Sequence, residues 1–194
     1  GQETVNSQDD ASQYSAGHLA ISVFDPRTVV QFRKIEIKEL PPPPASDSGP
    51  QPRFFASNEW IDVIPLIDPQ SDKWNMRLTG KNEWRIEQGE LVGGGGDTKP
   101  HKLLLPLDAD FFPSFECELD FTRRSGEQGF NLNFPNANGD TPLYFDVQGP
   151  RGVFVRHRQT GIIPLSNAPL IETGKRTNVR VEVRRQQVGD RITV

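Results

Sequence analysis

Apolar and polar residues alternate with a period of two along much of the chain, and this alternation predicts β-strands. It is clearest over residues 115–121, 130–134 and 179–183. In each segment one parity is apolar and the other is polar or charged, which is typical of antiparallel sheets that pack on a single side. Clusters of Pro and Gly separate the segments, and nothing longer than a turn has helical periodicity. The pattern predicts an all-β fold, an antiparallel β-sandwich.

The first forty residues contain two more predicted strands. Residues 1–16 are polar and predict a loop or a frayed terminus. Residues 18–24 form an apolar run typical of a buried strand, and residues 28–38 form a second strand after the turn signal Asp-Pro-Arg. Because the apolar residues of the second strand change parity after Phe32, we expect a β-bulge near residues 33–34 that returns them all to the core face.

A proline run divides the chain. Residues 41–52, PPPPASDSGPQP, predict a linker that is stiffest at its proline end. Residues 1–40 have the character of the closing strands of a sandwich, and residues 53–194 that of a sandwich lacking its C-terminal strands. Because this order is unusual, and because the chain starts with Gly and ends within the strand pattern GDRITV, we expect a truncated or circularly permuted piece of a longer modular protein.

Two arrangements of these units are compatible with the sequence. An isolated two-stranded hairpin is marginal in water, and a sheet without its closing strands has exposed edges. We therefore expect the two N-terminal strands to pair with strands of the second unit, with Phe32, Ile35 and Ile37 buried in a composite core. The alternative is a hairpin that stands apart and belongs to another domain.

Composition and charge narrow the classes of protein. The 194 residues suffice for one domain or slightly more, and 17 Gly, 17 Pro and 12 Phe suit short strands joined by turns. With 22 basic and 26 acidic residues the net charge is −4, and no basic arm stands out, so nucleic acid is not an expected partner. No apolar run is long enough to span a membrane. The single cysteine excludes an intrachain disulfide.

Two segments resemble a known family. These are WRIEQGELVGGGGDTKPHKLLLPLDADFFPSFECELDFTRRSGEQGFNLNFP, which starts at Trp84, and TVVQFRKIEIKEL, which starts at Thr28. Both segments are similar to the 3-keto-disaccharide hydrolase-like group of concanavalin A-like (laminin-G-like) sandwiches. The segment that starts at Thr28 resembles the last strand of that group. The resemblance implies a concanavalin A-like jelly roll, sugar chemistry and a bacterial protein that is periplasmic or secreted. Such domains also occur attached to other domains, including serine/threonine kinases.

Carboxylates are the first candidate chemistry, since glycoside hydrolysis needs one protonated and one ionised carboxyl group. Alternate residues of a strand share a face about 7 Å apart, so Glu116, Glu118 and Asp120 form a row opposite the apolar residues of their strand. If this row lies in a concave groove, Glu118 and Asp120 are the candidate catalytic pair. On the alternative interpretation the row is the solvated face of an amphipathic strand.

A third candidate acid comes from the resemblance. The similar enzymes carry a Tyr-Glu pair on a strand after a Ser-Gly turn, followed by an Asp. In this chain Tyr144 is followed by Phe145, and Asp146 comes next. Asp146 is therefore the candidate to replace the missing glutamate.

Aromatic and amide side chains are the candidates for sugar binding. Trp60, Trp74 and Trp84 could stack on the apolar side of a pyranose, or could belong to the core. Asn131 and Asn133 share one face of a predicted strand and offer donors and acceptors for sugar hydroxyls, or simply solvate that face. The isolated histidines argue against zinc. No cofactor is expected, although a structural calcium ion held by loop oxygens is compatible with this fold.

Three functions remain as hypotheses. The first is a carbohydrate-recognition module of a larger bacterial protein, whose partners are a glycan or small sugar and the other domains of the parent chain. The second is a glycoside hydrolase domain of the 3-keto-disaccharide type. The third is a non-catalytic interaction or spacer domain attached to another module, such as a kinase.

Overall fold

The computed structural model describes most of the chain. The described residues are 5–7, 17–41, 59–69, 75–76, 84–95, 101–109, 114–136, 139–147, 152–157, 161–165, 171–186 and 189–193. Within these ranges the only helix is a single 3₁₀ turn, Ile64–Leu66, and the rest of the regular structure is β. The prediction of an all-β chain is therefore confirmed.

Fifteen strands are described, numbered here along the chain. They are β1 (Val5–Ser7), β2 (Gly17–Val23), β3 (Val29–Glu39), β4 (Ile61–Asp62), β5 (Asn75–Met76), β6 (Arg85–Glu87), β7 (Glu90–Gly94), β8 (His101–Ala109), β9 (Phe115–Ser125), β10 (Phe130–Asn136), β11 (Gly139–Phe145), β12 (Val153–His157), β13 (Gly161–Pro164), β14 (Arg176–Gln186) and β15 (Gly189–Thr193). An eight-stranded sheet has the order β1-β15-β14-β9-β3-β7-β6, with β4 also paired to β3. A seven-stranded sheet has the order β13-β12-β11-β10-β2-β8-β5. All the pairings are antiparallel.

The two sheets pack face to face around a core rich in phenylalanine. The Phe130 ring from the seven-stranded sheet lies with its centroid 4.9 Å from Phe32 and 4.8 Å from Phe121, both of the eight-stranded sheet, in edge-on geometry. It also stacks on Phe145 at 4.5 Å. Edge-on and offset aromatic contacts of this kind contribute beyond the apolar area that they bury. The inward-facing side chains of the strands of both sheets therefore form one shared core.

The N-terminal strands lie inside this sandwich. β3 pairs with β9 on one side and with β7 and β4 on the other, while β2 lies between β10 and β8. Phe32, Ile35 and Ile37 are at most 1% exposed and belong to the common core. The expected pairing of the N-terminal strands with the second unit is confirmed.

The predicted bulge in β3 is also present. The register of β3 against β9 shifts between Phe32 and Lys34, so Arg33 is the extra residue. As a result Val30 and Ile35, which differ in parity, are both fully buried. An extra residue on one strand is the defining feature of a β-bulge.

The N-terminal segment departs from its prediction at one point. Residues 1–16 predict a loop or a frayed terminus, yet Val5–Ser7 form β1 and pair with β15 at the edge of the eight-stranded sheet. A three-residue edge strand needs only backbone hydrogen bonds, so its sequence has no period to detect. Residues 42–58 lie outside the described residues; they include all of the predicted linker, 41–52, except its first residue, and the predicted start of the second unit at residue 53.

Candidate functional site

The acidic row lies on the outer face of the eight-stranded sheet. Phe115, Cys117, Leu119 and Phe121 are at most 1% exposed in the core, so their alternate neighbours on β9 point away from it. The predicted division of this strand into a buried face and an acidic face is confirmed. β9 is central in its sheet, between β3 and β14.

Basic residues of the neighbouring strands bind each acid of the row. We call this arrangement the ion ladder and define it as Lys34, Lys38, Glu116, Glu118, Asp120, Arg176 and Arg180. At one end the Glu116 carboxylate lies 2.7 Å from both Lys38 Nζ and Arg180 Nη2. Burial raises the pKa of Glu116, but the hydrogen bonds from Lys38 and Arg180 outweigh burial, so the pKa is lower than usual.

The two candidate catalytic acids are bound in the same way. Glu118 Oε1 accepts hydrogen bonds from Asn178 Nδ2 at 3.1 Å and Lys34 Nζ at 3.0 Å, which hold its pKa below the usual range. Both oxygens of Asp120 accept from Arg176 Nε at 2.8 Å, and Arg176 Nη2 also donates to Oδ2. A general acid must keep its proton near neutral pH, and the contacts of Glu118 favour its ionised form. The geometry is that of a structural ion network.

The three tryptophans have different environments. Trp84 is fully buried, and its ring lies 6.4 Å from that of Phe32, so it presents no face to a ligand. Trp60 is half-buried beside the ion ladder, with Lys38 Nζ 5.1 Å and the Arg180 guanidinium 5.4 Å from its ring. Trp60 therefore makes cation–π contacts with two members of the ion ladder. Trp74 lies outside the described residues.

Asp146 does not join the acidic row. It follows β11, and its carboxylate binds Arg123 Nη1 at 2.9 Å. Arg123 has the core-facing parity of β9, whereas Asp120 has the outward parity. The structure therefore separates Asp146 from Glu118 and Asp120 by the thickness of the sheet.

A row of polar and aromatic side chains lies on the outer face of the seven-stranded sheet. We call it the amide row and define it as Ser22, Asn131, Tyr144 and Phe154, with Asn133 beside it. Asn131 is paired in register with Ser22 of β2 and with Tyr144 of β11, and Tyr144 is paired with Phe154 of β12. Four consecutive strands thus place these side chains in one line across the sheet.

The amides of this row are secluded from solvent although they face away from the core. Asn131 is 1%, Ser22 2% and Asn133 8% exposed. Asn133 Nδ2 donates a hydrogen bond to Ser22 Oγ at 3.0 Å. The Asn131 Oδ1 atom is buried and has no hydrogen-bond partner among the described residues. An unsatisfied buried acceptor costs about 1–3 kcal/mol, so this oxygen is the polar atom of the row to which a donor group would be most valuable.

Aromatic rings border the amides. The Tyr144 and Phe154 rings stack with centroids 4.8 Å apart and an interplanar angle of 6°. β10, which carries Asn131, is on the other side of β11 from Phe154. Tyr144 is paired in register with Asn131, so the two side chains lie next to each other on the same face of neighbouring strands. The Tyr144 and Phe154 rings thus form an aromatic wall beside the amides of Asn131 and Asn133. Polar groups next to aromatic rings suit a sugar ring as a ligand.

Sequence reasoning found the two asparagines of this row but missed its other members. The alternation of Leu143 and Phe145 with Tyr144 is a usable signal, because it places the tyrosine ring on the outward face. Phe154 gave no signal, since it lies within the continuous apolar run Val153–Val155. Ser22 is likewise hidden in an apolar run. Only the register shows that these three residues adjoin Asn131.

Neither a metal centre nor a membrane-spanning helix is found in the part of the chain that the structure describes. No group of three or more His, Cys, Asp or Glu side chains in these ranges could hold a metal ion. No helix in the same ranges is long and apolar enough to cross a membrane.

Comparisons with known proteins identify no family for this chain. No protein-family model matches it, and searches of curated proteins and of solved structures also return no match. The resemblance to concanavalin A-like sugar-active sandwiches therefore remains a prediction.

Proposed function

We propose that this domain recognises a carbohydrate on the outer face of its seven-stranded sheet. The observation that carries the proposal is the buried Asn131 Oδ1, which has no partner in the described structure. A sugar hydroxyl is a donor of the right strength and size for this atom. It would convert a destabilising group into a source of affinity.

The surroundings of Asn131 support a neutral ligand with one apolar side. Ser22 and Asn133 are uncharged polar side chains, and the ring of Tyr144 offers an aromatic wall. A pyranose has hydroxyl groups around its rim and C–H groups on its faces, so it matches both components. Lys102 of β8, which is paired in register with Ser22, is the charged residue that continues this line across the sheet.

Hydrolysis is not part of this proposal. The acids of the ion ladder lie on the opposite sheet and are bound by cations, and the amide row itself contains no carboxylate. A module that binds without cleaving fits these two facts best. It could serve as a recognition domain within a modular chain.

The test is the binding of neutral sugars to a matched pair of variants. Isothermal titration with a panel of methyl glycosides and short neutral oligosaccharides should find a ligand for the wild type. Asn131→Leu should weaken the binding of that ligand at least tenfold, because a lost hydrogen bond of about 1.4 kcal/mol corresponds to that factor. Asn178→Leu, on the ion-ladder face, should bind as the wild type does.

Two results would overturn the proposal. One is that no sugar of the panel binds to the folded wild type. The other is that Asn131→Leu binds the ligand with unchanged affinity, since the orphan oxygen would then make no contact with it.

A further inference from the structure

One buried arginine binds segments that belong to both sheets. Arg123, near the end of β9, is 7% exposed. Its Nε donates to Thr173 Oγ1 at 3.0 Å, and its Nη1 donates to the Glu127 carbonyl at 2.8 Å. Its Nη2 donates to the Ile171 carbonyl. These partners lie in the turn that leads to β10 and in the segment that precedes β14.

The fourth partner of Arg123 lies at the end of β11. Asp146 Oδ2 accepts from Arg123 Nη1 at 2.9 Å, and both side chains are less than a tenth exposed. Asp146 also has a φ of 54°, in the left-handed region that few residues other than glycine adopt. We call Arg123 with its four partners the inter-sheet clamp. Because the ion pair is buried, removing either partner would leave an uncompensated charge.

The clamp adjoins the start of the β10–β11 ladder. The Gly129 N–H donates to the Asp146 carbonyl at 3.0 Å, and the next pair in register is Phe130 with Phe145. The pair after that is Asn131 with Tyr144. A Cβ atom on Gly129 would lie 1.9 Å from the Phe145 carbonyl oxygen, so the two backbones approach here as closely as glycine allows.

Register at this point decides which face each side chain occupies. A slip of one residue in β11 would turn Tyr144 into the core and Phe145 outward. The Asp146 carboxylate is anchored to Arg123 directly after the last residue of β11, so the clamp opposes such a slip. The Asn131–Tyr144 pair of the amide row lies two pairs away from this anchor.

We infer that Arg123 is a positioning residue for the amide row. Through Asp146 it holds the end of β11 in the register that places the Tyr144 ring beside Asn131. Its effect on sugar affinity rests on the proposed function, whereas its effect on the geometry of the row does not.

Two conservative variants test the inference. Arg123→Lys keeps the positive charge but cannot reach all four partners, and Asp146→Asn keeps a residue that tolerates the left-handed backbone while it removes the charge. Both should shift the NMR signals of Asn131 and Tyr144 and weaken the cross-strand contact between them. Both should also lower the affinity for the sugar about tenfold, at a temperature where the variants remain folded. Arg176→Lys, the same change in the ion ladder, should leave these signals and the affinity unchanged.

The readouts separate the two proposals. If the folded Arg123→Lys or Asp146→Asn variant keeps wild-type signals at Asn131 and Tyr144, the clamp does not position the row, and the inference is wrong. A loss of stability alone, with signals and affinity unchanged, would show a structural role only and would also overturn it. If the wild type binds no sugar, the proposed function fails, but the NMR signals still decide the role of Arg123.

Discussion

The outer faces of the two sheets are both polar in sequence, but they differ in how their polar groups are satisfied. On the eight-stranded sheet the row from Glu116 to Asp120 is matched by cations or an amide from both neighbouring strands. On the seven-stranded sheet Asn133 bonds with Ser22, while the oxygen of Asn131 has no described partner. On the first face even Glu116 Oε2, which makes no hydrogen bond by geometry, has two cations within ion-pair distance. On the second face the Asn131 oxygen has neither kind of partner among the described residues.

The most conspicuous chemistry in the sequence therefore need not mark the candidate site. Three acids on alternate positions suggest catalysis, but cross-strand neighbours convert them into a structural network. Two asparagines suggest little by themselves, but their position beside an aromatic wall makes them the stronger candidate. The register between strands, and not the composition of one strand, distinguishes the two faces.

The largest expected effect concerns the core that the two faces share. Phe32→Ala should lower the free energy of unfolding by about 3–5 kcal/mol, because a fully buried ring is lost from the contact between the sheets. Chemical denaturation followed by both fluorescence and circular dichroism checks this value. Leu66→Ala, at a half-exposed position, should cost less than about 1 kcal/mol. A small effect at Phe32 would mean that the N-terminal strands are not part of the common sandwich.

The sequence predicts this shared core well. Period-two patterning identified the strands with one polar face, and the change of parity in β3 located the bulge near Arg33. The order of strands in the sheets could not be predicted, because it depends on pairings between segments as distant as β3 and β9. The amide row was only half visible for the same reason, since Ser22 and Phe154 reach Asn131 through other strands.

The next effect should be found on the ion-ladder face. Glu116→Gln leaves Lys38 and Arg180 close together without their shared negative charge. It should lower the free energy of unfolding by about 1–2 kcal/mol, less than for a fully buried pair because Arg180 is more than half exposed. As a control, Glu172→Gln removes an exposed pair with Lys175 and should cost less than about 0.5 kcal/mol. Equal effects of the two changes would contradict the structural role of the ladder.

A smaller effect of opposite sign is expected on the amide-row face. Asn131→Leu removes a buried acceptor that lacks a partner, so it should leave the free energy of unfolding unchanged or raise it by about 1 kcal/mol. Asn178→Leu removes a hydrogen bond to charged Glu118 and should lower stability by about 0.5–1 kcal/mol. Thermal denaturation of the two variants checks the signs. A clear loss of stability in Asn131→Leu would show that its oxygen is already satisfied within the fold.

The smallest effect is the dependence of stability on pH. Because the pKa values of Glu116 and Glu118 are lower in the folded chain than the ordinary 4.5, their contribution is complete above about pH 4.5. It is lost as the pH falls through their folded values. The stability of the double variant Glu116→Gln/Glu118→Gln should therefore fall less steeply with decreasing pH than that of the wild type. The difference should be found between about pH 5 and about pH 2, the range around the ordinary carboxyl pKa values. Asn131→Leu should follow the wild-type acid profile, because the substitution removes no titrating group.

The most direct measurement is an NMR titration of the wild type that follows the side-chain amides of both faces together. A neutral sugar that binds should shift the NH₂ signals of Asn131 and Asn133 saturably, with one dissociation constant. The Asn178 signal should stay in place, because the Asn178 amide already donates a hydrogen bond to Glu118. Shifts at Asn178 without shifts at Asn131, or no saturable shift with any neutral sugar, would contradict the account.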